Sequence, residues 1–206
     1  MSRRALSVVV PLEGRGDLPL ALFRGVPLVE RAVLTVRTAL PDAPILVTMG
    51  EADRDRVEAW AGSVPGLEVG APGSSRGQDG DLLVHDPLCP GVDADLIARV
   101  LSVGEGGARS VAAYRPVTDT LKVVEDGIVT ATLDRESVVA IASPVLVAHS
   151  VRRPALDLRT DLTGVVEAIR TRGPLEYVEA PPLARRVADL AALRVLEALG
   201  AVLPSA

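Results

Sequence analysis

Aromatic side chains are scarce, with one tryptophan, two tyrosines and one phenylalanine in 206 residues. So few rings cannot form a platform for stacking bases. The net charge of −5 comes without any basic run, so the electrostatic footprint of a nucleic-acid partner is also missing. A single cysteine rules out an internal disulfide and suits a reducing compartment. No apolar run reaches the roughly 18 residues a membrane span requires. Met1-Ser2-Arg3-Arg4 leads straight into SVVVP, without the core of a signal peptide. The two histidines, His85 and His149, lie too far apart in sequence to suggest a metal site. These absences predict a cytoplasmic protein with neither nucleic acid nor membrane as partner.

What is abundant is Val, Leu and Ala. Apolar residues make up 48% of the chain, so its core is aliphatic, as in a parallel sheet covered by helices. The length predicts one domain over residues 1–206. Leu6–Pro11 is an uninterrupted apolar run ending at a breaker and predicts a central strand. Further strands are expected at 45–49, 67–71, 82–86, 110–113, 138–142 and 175–178. Helices are expected at 26–40, 51–61, 94–103, 144–151, 162–172 and 187–199, the last ended by Gly200. This alternation predicts an α/β layered fold, whose ligands bind beyond the carboxyl ends of the strands.

Between Arg115 and Arg135 the pattern changes to a hairpin. Asp126-Gly127 sits between β-branched runs, and a type I′ turn there needs φ > 0 at both residues. The expected register pairs Glu125 with Ile128 and Val123 with Thr130. It places Thr118, Thr120, Lys122, Leu133 and Arg135 on one face, a hydroxyl and guanidinium set suited to phosphate. Leu121, Val123 and Ile128 share the other face, and an isolated two-stranded hairpin is marginal in water. The arm, at about residues 115–137, is therefore expected to make a homodimer.

PVTDTLK followed by DGIVTATLDR, with Val84-His85-Asp86 some thirty residues upstream, resembles the 2-C-methyl-D-erythritol 4-phosphate cytidylyltransferases of isoprenoid-precursor synthesis. The resemblance implies a Rossmann-like, three-layer nucleotidyltransferase fold with a mostly parallel sheet and a protruding dimerisation arm. It implies CTP and a sugar-alcohol phosphate as ligands. Asp86 matches the position that holds Mg²⁺, and Thr120 and Arg135 match those that bind substrate phosphate across the dimer interface. Ser143 replaces a small hydroxyl residue of the substrate site, and Arg186 stands where a catalytic lysine is expected. Asp119 and Lys122 complete the DTxK pattern.

The nucleotide side departs from the pattern. Gly14 and Gly16 are what remains of a glycine-rich loop, with Arg15 in place of its arginine and close enough to Asp17 to pair with it. Leu20 falls on the loop's lysine, and Glu13 puts an anion where phosphates would lie. Gly73 and Arg76 echo the start of the cytosine-recognition segment. The eight residues between Arg76 and His85, however, leave no room for the helix that should follow. Cys89 reads as a small buried hydrophobe, His85 as structural and Asp161 as a helix cap. The expectation is a family member with weak or lost cytidylyl transfer. The alternatives are an inactive dimeric paralogue that binds or regulates, or a transferase for another sugar phosphate.

Overall fold

A computed structural model describes residues 5–74, 80–105, 109–152, 156–158 and 161–202. In chain order the elements are β1 (Leu6–Pro11), β2 (Leu22–Phe23), β3 (Val26–Pro27), α1 (Leu28–Ala39), β4 (Ile45–Thr48), α2 (Glu51–Ala61) and β5 (Leu67–Gly70). There follow β6 (Asp81–Val84), α3 (Ala94–Gly104), β7 (Ser110–Pro116), β8 (Leu121–Glu125) and β9 (Ile128–Leu133). The chain continues with β10 (Val139–Val147), α4 (Leu162–Arg170), β11 (Leu175–Glu179) and α5 (Leu190–Val202).

Seven strands form one sheet in the order β11-β7-β10-β6-β1-β4-β5, and β10 alone runs antiparallel to its neighbours. β1 lies inside the sheet between β6 and β4, and its alternating side chains feed two cores. Val8 and Val10 pack on one face with Val29, Val33 and Val36 of α1 and Leu96, Ile97 and Val100 of α3. Val9 packs on the other face with Val165, Val166 and Ile169 of α4. A third, smaller core joins Phe23 and Leu28 to Leu193 and Leu196 of α5. Asp93 caps α3 by accepting from the Leu96 amide at 2.8 Å, and Asp161 caps α4 by accepting from Gly164 at 3.0 Å.

Several sequence expectations are corrected. The segment 144–151 is not a helix: β10 runs on through Val147, and only His149–Val151 forms a short 3-10 turn. Its apolar run fills the gap between β7 and β6, where buried β-branched residues pair well. The helix expected from Val26 begins at Leu28, because Val26–Pro27 pairs with Leu22–Phe23 across Arg24-Gly25, both at positive φ. The closing helix starts at Leu190, after Asp189 accepts from the Ala192 amide at 2.7 Å, and it continues through Gly200.

The hairpin forms its own two-stranded sheet, with Asp126 and Gly127 at φ of 51° and 79°. Glu125 pairs with Ile128 as expected, but Val123 pairs with Ala131, because a bulge at Thr130 shifts the register by one. Lys122 therefore faces Thr132, to which its ammonium donates at 2.6 Å, and Leu133 moves to the face of Leu121. Among the described residues no helix is long and apolar enough to cross a membrane.

Candidate functional site

The carboxyl ends of β1, β4 and β6, together with a bulge in β10 and the loop after β11, converge on Asp86. It lies two residues past β6 and is fully buried. Arg15, held in the turn after β1 between Gly14 (φ 73°) and Gly16 (φ 56°), donates from Nε to Asp86 Oδ1 at 3.0 Å and from Nη2 to Oδ2 at 3.4 Å. Arg186, from the loop after β11, donates from Nε to Oδ2 at 3.0 Å. The Leu88 amide adds a third donor, to Oδ1 at 3.0 Å. Arg15 also donates from Nη1 to the Glu13 carbonyl at 2.7 Å. Its partner is thus Asp86, not the expected Asp17, which is exposed.

Burial, the largest single influence on Asp86, pushes its carboxyl upward. The charge and hydrogen bond of Arg15, the charge of Arg186 and the Leu88 amide outweigh it and hold the carboxyl below its ordinary value. The backbone is fixed from behind. β10 bulges between Ala142 and Val145, and there the Ser143 hydroxyl accepts from the Asp86 amide at 2.9 Å and lies 2.6 Å from His85 Nδ1. Ser143 is fully buried and its hydroxyl is engaged in these two contacts. Burial lowers His85 to about 4, against a partial opposing pull from Asp86, so the ring is neutral at pH 7. Cys89 is buried and its thiol is pushed up, by burial first and Asp86 second. It is no nucleophile.

Both oxygens of Asp86 are occupied by guanidiniums and an amide, so a divalent ion would first have to displace an arginine. Among the described residues no other His, Cys, Asp or Glu forms a metal-holding group of three or more. The donor set as it stands does not fit such an ion. On the adjoining side, Glu13 Oε2 accepts from Thr48 Oγ1 at 2.9 Å, while Oε1 is buried without a partner among the described residues. Leu20 is buried and contributes no charge.

The other candidates lie elsewhere. Gly73 (φ 75°) turns the chain beyond the edge strand β5, two strands from β1, and Arg76 lies outside the described residues. Thr120 and Arg135 are exposed on the arm, and Arg135 donates from Nη1 to the Thr118 carbonyl at 2.9 Å. Arg135 belongs to a one-turn 3-10 helix rather than to β9, so the continuous phosphate-facing strand expected from sequence does not form. His149, far from Asp86 in sequence, accepts from the Gly80 amide at 3.3 Å. Sequence reasoning overlooked Arg115, at the end of β7, and Arg185. The signal for Arg115 was a basic residue at a strand end, and for Arg185 its place next to Arg186 in the loop after β11.

The mostly parallel seven-stranded sheet and its row of strand ends define an α/β nucleotidyltransferase fold. A solved structure of 4-diphosphocytidyl-2C-methyl-D-erythritol synthase from Anaerococcus prevotii superposes with a TM-score of 0.75 at 14% identity, covering 96% of this chain and 99% of that one. The family model for IspD, 2-C-methyl-D-erythritol 4-phosphate cytidylyltransferase, matches residues 69–169. The cytidylyltransferase of that name from Rhodococcus jostii is 33% identical over 181 residues, covering 84% of this chain and 74% of the relative. The chain therefore belongs to the 2-C-methyl-D-erythritol 4-phosphate cytidylyltransferase family. It spans only part of some relatives: it is 35% identical to the bifunctional IspD/IspF enzyme of Solidesulfovibrio magneticus over 58% of this chain but 35% of that protein's length.

Proposed function

We propose that this chain is a cytoplasmic, homodimeric member of the cytidylyltransferase family that retains recognition of a sugar-alcohol phosphate and has weak or lost transfer of CMP from CTP. The observation that carries this reading is the buried bridge from Arg15 and Arg186 to Asp86. Cytidylyl transfer is an in-line displacement at the α-phosphate, and its catalysis rests on positioning and on cations aimed at developing charge. Here the two arginines nearest that task are committed to a carboxylate. Arg15 is 2% exposed and cannot turn outward without leaving Asp86 uncompensated. Leu20 replaces a third cation, and the Glu13 carboxylate repels a polyphosphate at the loop that should cradle it.

The arm supports the dimer. Val124, Ile128, Val129 and Leu133 are 58%, 68%, 58% and 46% exposed, more apolar surface than a free two-stranded hairpin tolerates. In a dimer, Thr120 and Arg135 of one chain would meet the arginines of the other around a phosphate ester. Pyrophosphate release from CTP and Mg²⁺ in the presence of 2-C-methyl-D-erythritol 4-phosphate tests the reading.

A further inference from the structure

The chain has four aromatic side chains, and both tyrosines lie together at one edge of the sheet. Tyr114 of β7 and Tyr177 of β11 meet edge to face, with ring centroids 6.0 Å apart and planes at 89°. They line a groove of about 700 Å³ with Leu175, Val139, Glu136 and Arg170. Ala112 and Leu175 pack into the core under α4, and Tyr114 and Tyr177 follow them by two residues, so the groove opens on that face of the sheet. The loop after Asp86 packs through Cys89 and Val92 into the opposite core, so the groove is separate from the Asp86 site.

β11 is also the last strand of the sheet, and its outer edge is open. The Ser110 amide donates to the Pro174 carbonyl at 3.2 Å, and the Ala180 amide to the Tyr114 carbonyl at 2.7 Å. Even-numbered positions therefore aim their backbone groups at β7, and alternation turns those of Leu175, Tyr177 and Glu179 outward. Arg99 donates to the Glu179 carbonyl at 3.0 Å. Among the described residues, the amides and carbonyls of Leu175 and Tyr177 have no partner. The charged groups of the groove are free as well. Glu136 lies near Val139, which pairs with Pro116, and Arg170 near Leu175, which pairs with Ser110, levels about 20 Å apart along β7. Both side chains are exposed, and among the described residues neither has an ion-pair or hydrogen-bond partner. Glu179 turns to the same face at the Glu136 end.

We propose that this edge docks an extended peptide segment of a partner protein, which adds a strand to β11 and sets one apolar side chain against Tyr114 and Tyr177. Antiparallel addition, the more stable pairing, runs the peptide from the Glu136 end towards the Arg170 end. The strip therefore selects a basic, an apolar and an acidic residue at alternate positions, which share one face of a strand. The basic residue sits opposite Glu179, the apolar one opposite Tyr177 and the acidic one opposite Leu175. Main-chain bonds to Leu175 and Tyr177 serve any sequence, whereas the tyrosines and the two free charges discriminate. The strip uses neither the Asp86 bridge nor the apolar tip of the arm, so it stands apart from the preceding reading.

Fluorescence anisotropy of the full chain with labelled Thr-Lys-Thr-Phe-Thr-Asp-Thr tests it, against the reversed Thr-Asp-Thr-Phe-Thr-Lys-Thr of equal composition. Saturable binding is expected, at least about 5-fold tighter for the first peptide than for the second. N-methylation of the phenylalanine removes a donor aimed at β11 and should weaken binding about 10-fold. Tyr177→Ala should weaken it by about the same factor, of order 10-fold. Glu136→Arg combined with Arg170→Glu changes only exposed side chains and should abolish or invert the preference between the two peptides. Ile128→Glu with Val129→Lys, at the tip of the arm, should leave binding unchanged. No saturable binding at millimolar peptide, equal affinity for both orders, or an unaltered preference in the charge-swapped variant would overturn the proposal. Binding confined to the arm variant would also overturn it, because a second copy would then cover the edge in the wild type.

Discussion

Replacing Asp86 by Asn separates a structural keystone from a free catalytic carboxylate. The substitution preserves shape and keeps an oxygen for the Leu88 amide, but removes the carboxylate charge that bridges Arg15 and Arg186. Arg15 is 2% exposed and Asp86 not at all, so the arginine left behind is a buried, uncompensated cation. Breaking a buried pair in this way costs about 3–5 kcal/mol. In a chain of 206 residues, each kcal/mol moves Tm by about 2–4 °C, so Asp86→Asn should melt about 6–20 °C lower. Arg186→Ala is the internal control. Its side chain is 33% exposed, so solvent takes over much of its role and the loss should stay near 1 kcal/mol. Urea unfolding followed by circular dichroism measures both, provided the m-value is unchanged. An Asp86→Asn variant as stable as the wild type, or more stable, would refute the reasoning, because it would mean that Asp86 is a strained functional group.

Two further outcomes follow from the same geometry. His85 is lowered to about 4 in the folded chain against an ordinary 6.5, so the unfolded chain binds the extra proton between those values. Stability should therefore be full above about pH 7 and fall as pH drops from about 6.5 to 4, by about 3 kcal/mol in all. The depressed Asp86 adds loss of the same sign as pH falls below about 4. Urea midpoints that stay flat from pH 7 to pH 5 would contradict this. On the arm, sedimentation equilibrium at micromolar concentration should give a dimer for the wild type and a monomer for Ile128→Glu combined with Val129→Lys. A monomeric wild type would remove the arm's role.

The elements legible in the sequence were those with strong local signals. The VVV run of β1, the acidic start of α2 and the Asp126-Gly127 turn each carry their own cause in adjacent residues. Segment 144–151 misled because a short apolar run in a buried strand cannot be told from a buried helix by periodicity. The bulge at Thr130 was invisible for a related reason: one extra residue in a strand leaves composition unchanged yet exchanges the faces beyond it. Asp86 stood out as a strand-end carboxylate, and Arg15 and Arg186 as basic residues. Their joint attachment to it spans 71 and 100 positions, and no local spacing encodes such a contact. Arg115 was passed over because a single arginine at a strand end reads as a solubilising residue.

In the proposed function, the bridge between Asp86 and its two arginines closes the nucleotide side of this family fold. Steady-state pyrophosphate release, with saturating CTP, Mg²⁺ and 2-C-methyl-D-erythritol 4-phosphate at pH 7.5, tests it most directly. Two phosphate-neutralising cations withheld from the transition state cost several kcal/mol of barrier. Turnover should therefore lie at least about 1,000-fold below the roughly 10 s⁻¹ of an ordinary enzyme, or be absent. Turnover of about 1 s⁻¹ or faster, abolished by Asp86→Asn in a variant that remains folded, would contradict it.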